Sequence, residues 1–418
     1  MGIDHRVLNL ALKAQEGLKG AFALHEEIAG VNQLKVLKAM QDNRLSESHF
    51  GISTGYGYHD SGREVLESIY ADVFKTESAL ARPQIISGTH ALSTALFGNL
   101  KHGDELACVT GKPYDTLDSV IGIHKARGSL MEHGIIYKQA DLEGAEINYG
   151  AIAEIITKNT KIAAIQRSKG YAWRHSLSVE EIGDIIGFVK GMNKDAICMV
   201  DNCYGEFVEL AEPSEAGADL VVGSMIKNPG GGLAPVGGYI AGKEEYVENA
   251  AARLGSPGLG KEAGPSLGIA PALLQGLFLS PQVVCGCVKG AMLASEMFLR
   301  LGFDVLPLPG EKRTDIVQAV KLGSLKALLS FCEGIQKAAP VDSFAKPEPW
   351  NMPGYDSLVV MAAGAFIQGS SIELSADAPI REPYTAYFQG GLTWHHAKAG
   401  IIIAIDNMLK DGVISIKS

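Results

Sequence analysis

A lysine and an aspartate, each following an apolar run, carry the strongest chemical signal in this chain. Lys227 stands in Gly223-Ser224-Met225-Ile226-Lys227-Asn228-Pro229-Gly230-Gly231-Gly232, and Asp201 in Val200-Asp201-Asn202-Cys203-Tyr204, 26 positions earlier (227 − 201). A lysine in such a place can hold a cofactor aldehyde as an imine, and a carboxylate can keep a ring nitrogen protonated. Pyridoxal phosphate is the electron-sink cofactor with both requirements. Alone, a lysine beside a glycine-rich turn is usually a solvated loop residue. Together the two say more. Asp201 ends the run 196–201 and Lys227 closely follows 219–223, and parallel α/β sheets bind ligands outside the carboxyl ends of their strands.

Other residues could complete such a site. In Ser87-Gly88-Thr89-His90-Ala91, Gly88 and Thr89 would turn backbone N–H groups outward at a helix N-terminus, a natural place for phosphate. Ser224, three residues before the lysine, would add a hydroxyl to that cradle. Tyr114, in Gly111-Lys112-Pro113-Tyr114-Asp115-Thr116, could stack on a flat ring and deliver a proton to a leaving group. An amino-acid substrate needs an arginine fork for its carboxylate. Arg381, in Pro379-Ile380-Arg381-Glu382-Pro383-Tyr384, is the candidate, with Arg313 and Arg167 as alternatives. The segment Gly255-Ser256-Pro257-Gly258-Leu259-Gly260-Lys261 has the GxxxxGK spacing, but Glu262 replaces the required hydroxyl residue and no strand precedes it. It is a glycine-rich loop near the active site rather than a nucleotide loop. The histidines show no metal-ligand spacing, and no metal site is expected.

Elements must hold these residues in place. Apolar positions at helical spacing fill 5–43, with a break expected near Gly30. Seven short apolar runs follow at 84–87, 106–110, 135–138, 162–166, 196–201, 220–224 and 236–241, alternating with amphipathic stretches. That alternation predicts an α/β fold with a mostly parallel sheet and helices on both faces. A long helical region spans 265–302 around Ser280-Pro281. Beyond it, strands at 358–361, 371–374 and 385–390 with helices at 315–332 and 397–409 predict a small α+β domain. The expected division is an N-terminal helical segment (1–45), a cofactor-binding large domain (46–295) and a C-terminal domain (296–418).

Bulk properties narrow the partners. The 418 residues carry a net charge of −10, which disfavours nucleic acid and anionic membranes. The most apolar stretch, 358–367, is too short to cross a bilayer. No basic leader opens the chain, and the six cysteines form no CxxC pair, so reduced thiols in a cytoplasmic protein are expected.

These motifs resemble a known family. Over nearly its whole length the chain is similar to the fold-type I pyridoxal-phosphate enzymes of the cystathionine β-lyase/methionine γ-lyase superfamily. It most resembles the bacterial group described as methionine γ-lyase family or aluminium-resistance proteins. The motifs that carry this are Val-Asp-Asn-Cys-Tyr, Ser-Gly-Thr-His-Ala, Gly-Ser-Met-Ile-Lys-Asn-Pro-Gly-Gly-Gly and Ser-Ala-Asp-Ala-Pro-Ile-Arg-Glu-Pro-Tyr. The resemblance implies a seven-stranded large domain with a small C-terminal domain. It also implies a carbon–sulfur lyase that converts cystathionine, methionine or cysteine by β- or γ-elimination to keto acid, ammonia and thiol. By the same resemblance Lys227 would carry the cofactor, Asp201 would face its ring nitrogen, and Gly88, Thr89 and Ser224 would bind its phosphate. Tyr114 would stack on the ring and Arg381 would hold the substrate carboxylate. Tyr58 would reach the phosphate of a neighbouring subunit, in a homodimer or homotetramer with shared sites. Where the better-known lyases follow that tyrosine with an arginine, this chain has Asp60, with Arg63 three later; Ile226 replaces a threonine before the lysine. An aminotransferase or aldolase using the same lysine, aspartate and arginine is an alternative, as is a non-catalytic cofactor- or metabolite-binding stress protein.

Overall fold

The computed structural model describes residues 2–352 and 357–416. In chain order, α1 (His5–Gly17), α2 (Lys19–Asp42) and α3 (Ser61–Val73) lead into β1 (Ser78–Arg82), α4 (Gly88–Asn99), β2 (Glu105–Cys108) and α5 (Thr116–Ile121). Then come β3 (Ile136–Gln139), α6 (Tyr149–Ile155), β4 (Thr160–Gln166), α7 (Val179–Met192), β5 (Ile197–Asp201) and β6 (Leu220–Ser224). β7 (Gly238–Gly242) and α8 (Glu244–Leu254) close this part, and α9 (Ala270–Arg300) leads on to β8 (Asp304–Leu306), β9 (Gln318–Lys321) and α10 (Leu325–Ala338). The chain ends with β10 (Val359–Ala363), β11 (Ser375–Pro379), β12 (Thr385–Gln389) and α11 (Trp394–Lys410).

Seven strands form one sheet in the order β1-β7-β6-β5-β4-β2-β3. From β3 to β6 the pairing is parallel; β7 runs antiparallel to both β6 and β1. Strand alternation sends successive side chains to opposite faces. Leu106, Ile162, Met199 and Val222 pack on the face that holds Leu92, Leu96 and Val247. Ala107, Ala163, Cys198 and Val200 pack against Ile152, Ile182 and Ile185 on the other. With both faces covered, the strands read as continuous apolar runs, as the sequence predicts. A second sheet, β10-β11-β12-β9-β8, is antiparallel throughout. α10 and α11 pack together beside it, and α9 touches both α2 and α11. α9 is long and apolar enough to cross a bilayer, yet 78% of that window lies inside the fold. It continues through Pro281, and Ser280 beside it gives its hydroxyl to the carbonyl of Asn228. All six cysteines are buried and unpaired.

Several expected elements are displaced. The first strand is 78–82, not 84–87. Its Ser-Ala-Leu-Ala-Arg sequence lacks β-branched residues, whereas Ile85-Ile86 supplies them within a turn, and Ser87 already caps α4 through the His90 N–H. The N-terminal break falls at Leu18, and α2 runs straight through Gly30. The helix expected at 315–332 starts only at Leu325, where Ser324 caps it, because 318–321 is pinned between β12 and β8. The strand expected at 371–374 lies at 375–379.

One helix residue gives the fold a pH dependence. His25 on α2 is buried, and burial together with the Arg313 charge pushes its pKa down to about 4. The folded protein keeps this ring neutral while an unfolded chain takes up a proton below about 6.5. Its stabilising share is therefore full above that pH and is lost as pH falls toward 4, by up to about 3 kcal/mol. Unfolding free energy measured between pH 7 and 4 should fall less steeply in His25→Gln than in the wild type. Parallel slopes would place the sensitivity elsewhere.

Candidate active site

Three strand ends build the site floor. Gln166 on β4 pairs with Asp201 on β5, and Asp201 pairs with Val222 on β6, so these carboxyl ends lie level. Beyond β6 the chain passes Ser224 and turns at Lys227. Asn228 anchors that turn by donating to the carbonyl of Glu206 (3.0 Å), and the backbone of Gly230 lies so close to Met225 that a Cβ would collide with its carbonyl. Lys227 and Asp201 thus border one cleft, with Tyr114, Gln166, Cys203 and Tyr204.

Charge is concentrated there. Burial would lower the Lys227 ammonium, but Cys203, Tyr204, Asp201 and Glu206 outweigh it and hold its pKa above the ordinary value. The Lys227 Nζ lies 4.0 Å from the centre of the Tyr204 ring, a cation–π contact. Burial pushes the Asp201 carboxyl up, and Lys227 and the Cys203 N–H (3.1 Å) oppose it. A cation beside Asp201 would relieve that desolvation.

Beside this pair lies the start of α4. A Cβ on Gly88 would sit 3.3 Å from the Cβ of Ser224 and 3.4 Å from the Cys203 sulfur, so the helix N-terminus comes close against the end of β6. Thr89 shares a hydrogen bond with Thr116 (2.7 Å), which ties α4 to the first turn of α5 just after Tyr114. The Tyr114 ring meets Tyr171 edge-on, with centroids 6.3 Å apart.

The three arginines separate cleanly. Arg167 is fully buried and donates to Asn202 (2.7 Å) and Glu209 (2.8 Å). Arg313 is likewise enclosed, donating to Gln318 (2.7 Å). Arg381 is exposed, rests on the Tyr171 carbonyl (3.2 Å) and borders an outer cleft with Tyr114 and Lys112. Tyr58 is not in this group. It is exposed, stacked on Tyr56 at 5.4 Å, and does not line the Lys227 cleft of its own chain. Asp60 and Arg63 serve the loop itself: Asp60 accepts from the N–H groups of Arg63 and Ser266, and Arg63 donates to the carbonyls of Gly57 and Gly264. The 255–261 segment lies beside Arg82, which donates to the carbonyl of Lys261, and not along the Lys227 cleft.

Comparison with known proteins shows the family. A family model described as methionine gamma-lyase matches residues 7–409. The chain belongs to that family. Among its relatives, the uncharacterized protein YnbB of Bacillus subtilis (strain 168) is 49% identical over 407 residues, covering 97% of each chain. The crystal structure of a carbon-sulfur lyase involved in aluminum resistance from Clostridium novyi NT superposes with a TM-score of 0.93 at 50% identity, over 97% of this chain and 96% of that one. The pyridoxal-5'-phosphate dependent protein YhfS of Escherichia coli shares the fold, with a TM-score of 0.59 at 16% identity over 91% and 96% of the two chains. The family's large mostly parallel sheet and separate antiparallel C-terminal sheet are therefore those of the pyridoxal-phosphate fold-type I enzymes.

Sequence reasoning missed Tyr204, Gln166 and Asp377 near Lys227. Tyr204 stood inside a quoted motif, and its left-handed φ of +74° was the hidden feature. Gln166 carried the signal already used for Asp201, a polar residue closing an apolar strand.

Proposed function

We propose that this protein is a pyridoxal-phosphate-dependent carbon–sulfur lyase acting on a sulfur amino acid of the cystathionine, methionine or cysteine type. The observation that carries this reading is the convergence of Lys227, Asp201 and Tyr114 on one cleft beside the N-terminus of α4. The residues fit the cofactor on three counts: a lysine on the cleft, a desolvated carboxylate beside it that a cation would stabilise, and a glycine whose missing side chain leaves a helix N-terminus open to phosphate. Lys227 would hold it covalently, Asp201 would face its ring nitrogen, Tyr114 would stack on it, and Gly88, Thr89 and Ser224 would take its phosphate. Bound there, pyridoxal phosphate supplies an electron sink for the pair left when a substrate Cα–H bond breaks.

The chain's own residues do the rest. Arg381, at the mouth, orients the substrate carboxylate as a two-pronged donor. The Lys227 amine, on the same cleft, would take the Cα proton. Asp201 keeps its negative charge beside the ring nitrogen and so favours the protonated form. Tyr114 or Lys227 then gives a proton to the departing sulfur. With one water consumed, β-elimination would yield pyruvate, ammonia and a thiol; γ-elimination would yield 2-oxobutyrate, ammonia and a thiol. Tyr58 would act in the site of a second copy, in a homodimer or homotetramer. Its exposure, with that of Ile52 and Tyr56, supports this because such an apolar loop gains from being covered. Six unpaired cysteines support a cytoplasmic setting.

The test is spectroscopic and chemical together. Protein loaded with pyridoxal phosphate should show a visible absorption band that shifts when cystathionine is added, with release of keto acid. Protein that takes up no cofactor, or takes it up and releases no keto acid from any sulfur amino acid, would refute the reading.

A further inference from the structure

Tyr204 holds a backbone conformation that bulky side chains avoid. The turn after β5 closes with the Gly205 N–H donating to the Asn202 carbonyl (3.0 Å), and Tyr204 takes its third position at φ +74°. Glycine or asparagine is the ordinary choice there, and an aromatic residue persists only where its surroundings fix it. This turn has little room to relax. A Cβ on Gly205 would stand 2.5 Å from the Arg167 side chain, while Asn202 accepts from Arg167 (2.7 Å) and donates to Glu212 (3.0 Å). Strain kept in so rigid a place points to a task for the side chain.

The ring has two engagements. It packs against Val317, Ala319 and Tyr387, on or beside β9 and β12. Its face carries the Lys227 Nζ at 4.0 Å from the ring centre, and both residues line one cleft. A π face attracts an ammonium but accepts no proton from it, and it stays available when Asp201 is engaged by a ring nitrogen. Resting on the lyase reading above, we propose that Tyr204 is a positioning residue whose ring face steadies Lys227 as its amine becomes an ammonium. In that step the Cα–H bond breaks, the proton joins the lone pair of the Lys227 nitrogen, and the electron pair left at Cα passes to the electron sink. The attraction is stronger once the lysine is charged than before, so it lowers the barrier to proton transfer rather than only tightening binding.

Cofactor-free protein carrying carbon-13 lysine gives the first readout. A side chain held over a ring face is shifted upfield in NMR, so the Lys227 ε-methylene resonance, identified by its loss in K227A, should stand upfield of the other lysines. The displacement should persist in Tyr204→Phe and vanish in Tyr204→Leu. If Y204L does not fold, Tyr204→Asn replaces it, since asparagine tolerates the left-handed backbone. The second readout uses the loaded enzyme and L-norleucine, an amino acid with no leaving group, whose Cα proton is exchanged for deuterium in heavy water. At saturating norleucine Y204L should exchange about 30-fold more slowly than the wild type with KM nearly unchanged, and the ring alone, in Y204F, should restore the rate. A wild-type Lys227 resonance among the other lysines, an upfield shift that survives Y204L, undiminished exchange in Y204L, or a Y204F as slow as Y204L overturns the proposal. If the wild type neither exchanges norleucine nor releases keto acid from L-cystathionine, the lyase reading fails, and the resonance alone decides whether Tyr204 holds Lys227.

Discussion

Lys227→Ala should leave a folded protein that keeps no pyridoxal phosphate through desalting and turns over substrate at least about 1000-fold more slowly. The size follows from asking one side chain to do two tasks, holding the cofactor and moving the Cα proton. The fold should survive with a lowered melting temperature, because Asp201 and Glu206 lose the buried cation that they hold above its ordinary pKa. Asn228 keeps its own bond to Glu206 and still anchors the turn. Far-ultraviolet circular dichroism and melting temperature check the fold; absorbance after desalting checks the cofactor. The informative competitor is Lys169, fully buried on the wall of the outer cleft, with its pKa lowered by burial to about 8. Its Nζ donates to the backbone carbonyls of Leu306 (3.4 Å) and Val317 (3.5 Å), a lysine set to join the two sheets. A K227A protein that retained a visible band would move the attachment to Lys169 and sink the present assignment.

The features legible in the sequence were those governed by local chemistry. Short apolar runs mark the inner strands of the large sheet, so β2 to β7 could be placed within a few residues, and the carboxyl ends of the parallel β5 and β6 located Asp201 and Lys227 together. The edge strand β1 escaped because its alanines pack against neighbours rather than expressing a strand preference of their own. β9 escaped because Gln318–Lys321 becomes a strand only between β12 and β8. At the site, residues that act through their own type were visible: a lysine, a carboxylate, glycines at a helix start. Residues whose meaning depends on tertiary placement were not. Asp377 reads in sequence as one polar position in an alternating strand, and only the tertiary fold brings it within reach of the Lys227 charge. Burial likewise separates Arg381, which is exposed, from Arg313 and Arg167, which are enclosed and donate to Gln318 and to Asn202 and Glu209.

The second large effect is expected at Asp201. Asp201→Asn keeps the size of the side chain, and its amide oxygen can still accept from the Cys203 N–H that Asp201 now holds at 3.1 Å. Covalent uptake of pyridoxal phosphate at Lys227 should therefore persist, and the protein should melt at or above the wild-type temperature, because one desolvated charge is gone. Turnover should nonetheless fall by roughly 10²–10³-fold. A neutral amide cannot hold the ring nitrogen in its cationic form, and without that charge the electrons released at Cα lose their most favourable destination. Bound cofactor with slow chemistry distinguishes this from Lys227→Ala, in which the cofactor itself is lost. Near-normal turnover in D201N, with the band intact, would mean that another group faces the ring nitrogen. Cys203 and Gln166, the neighbouring polar residues on the same cleft, would then be the positions to substitute next.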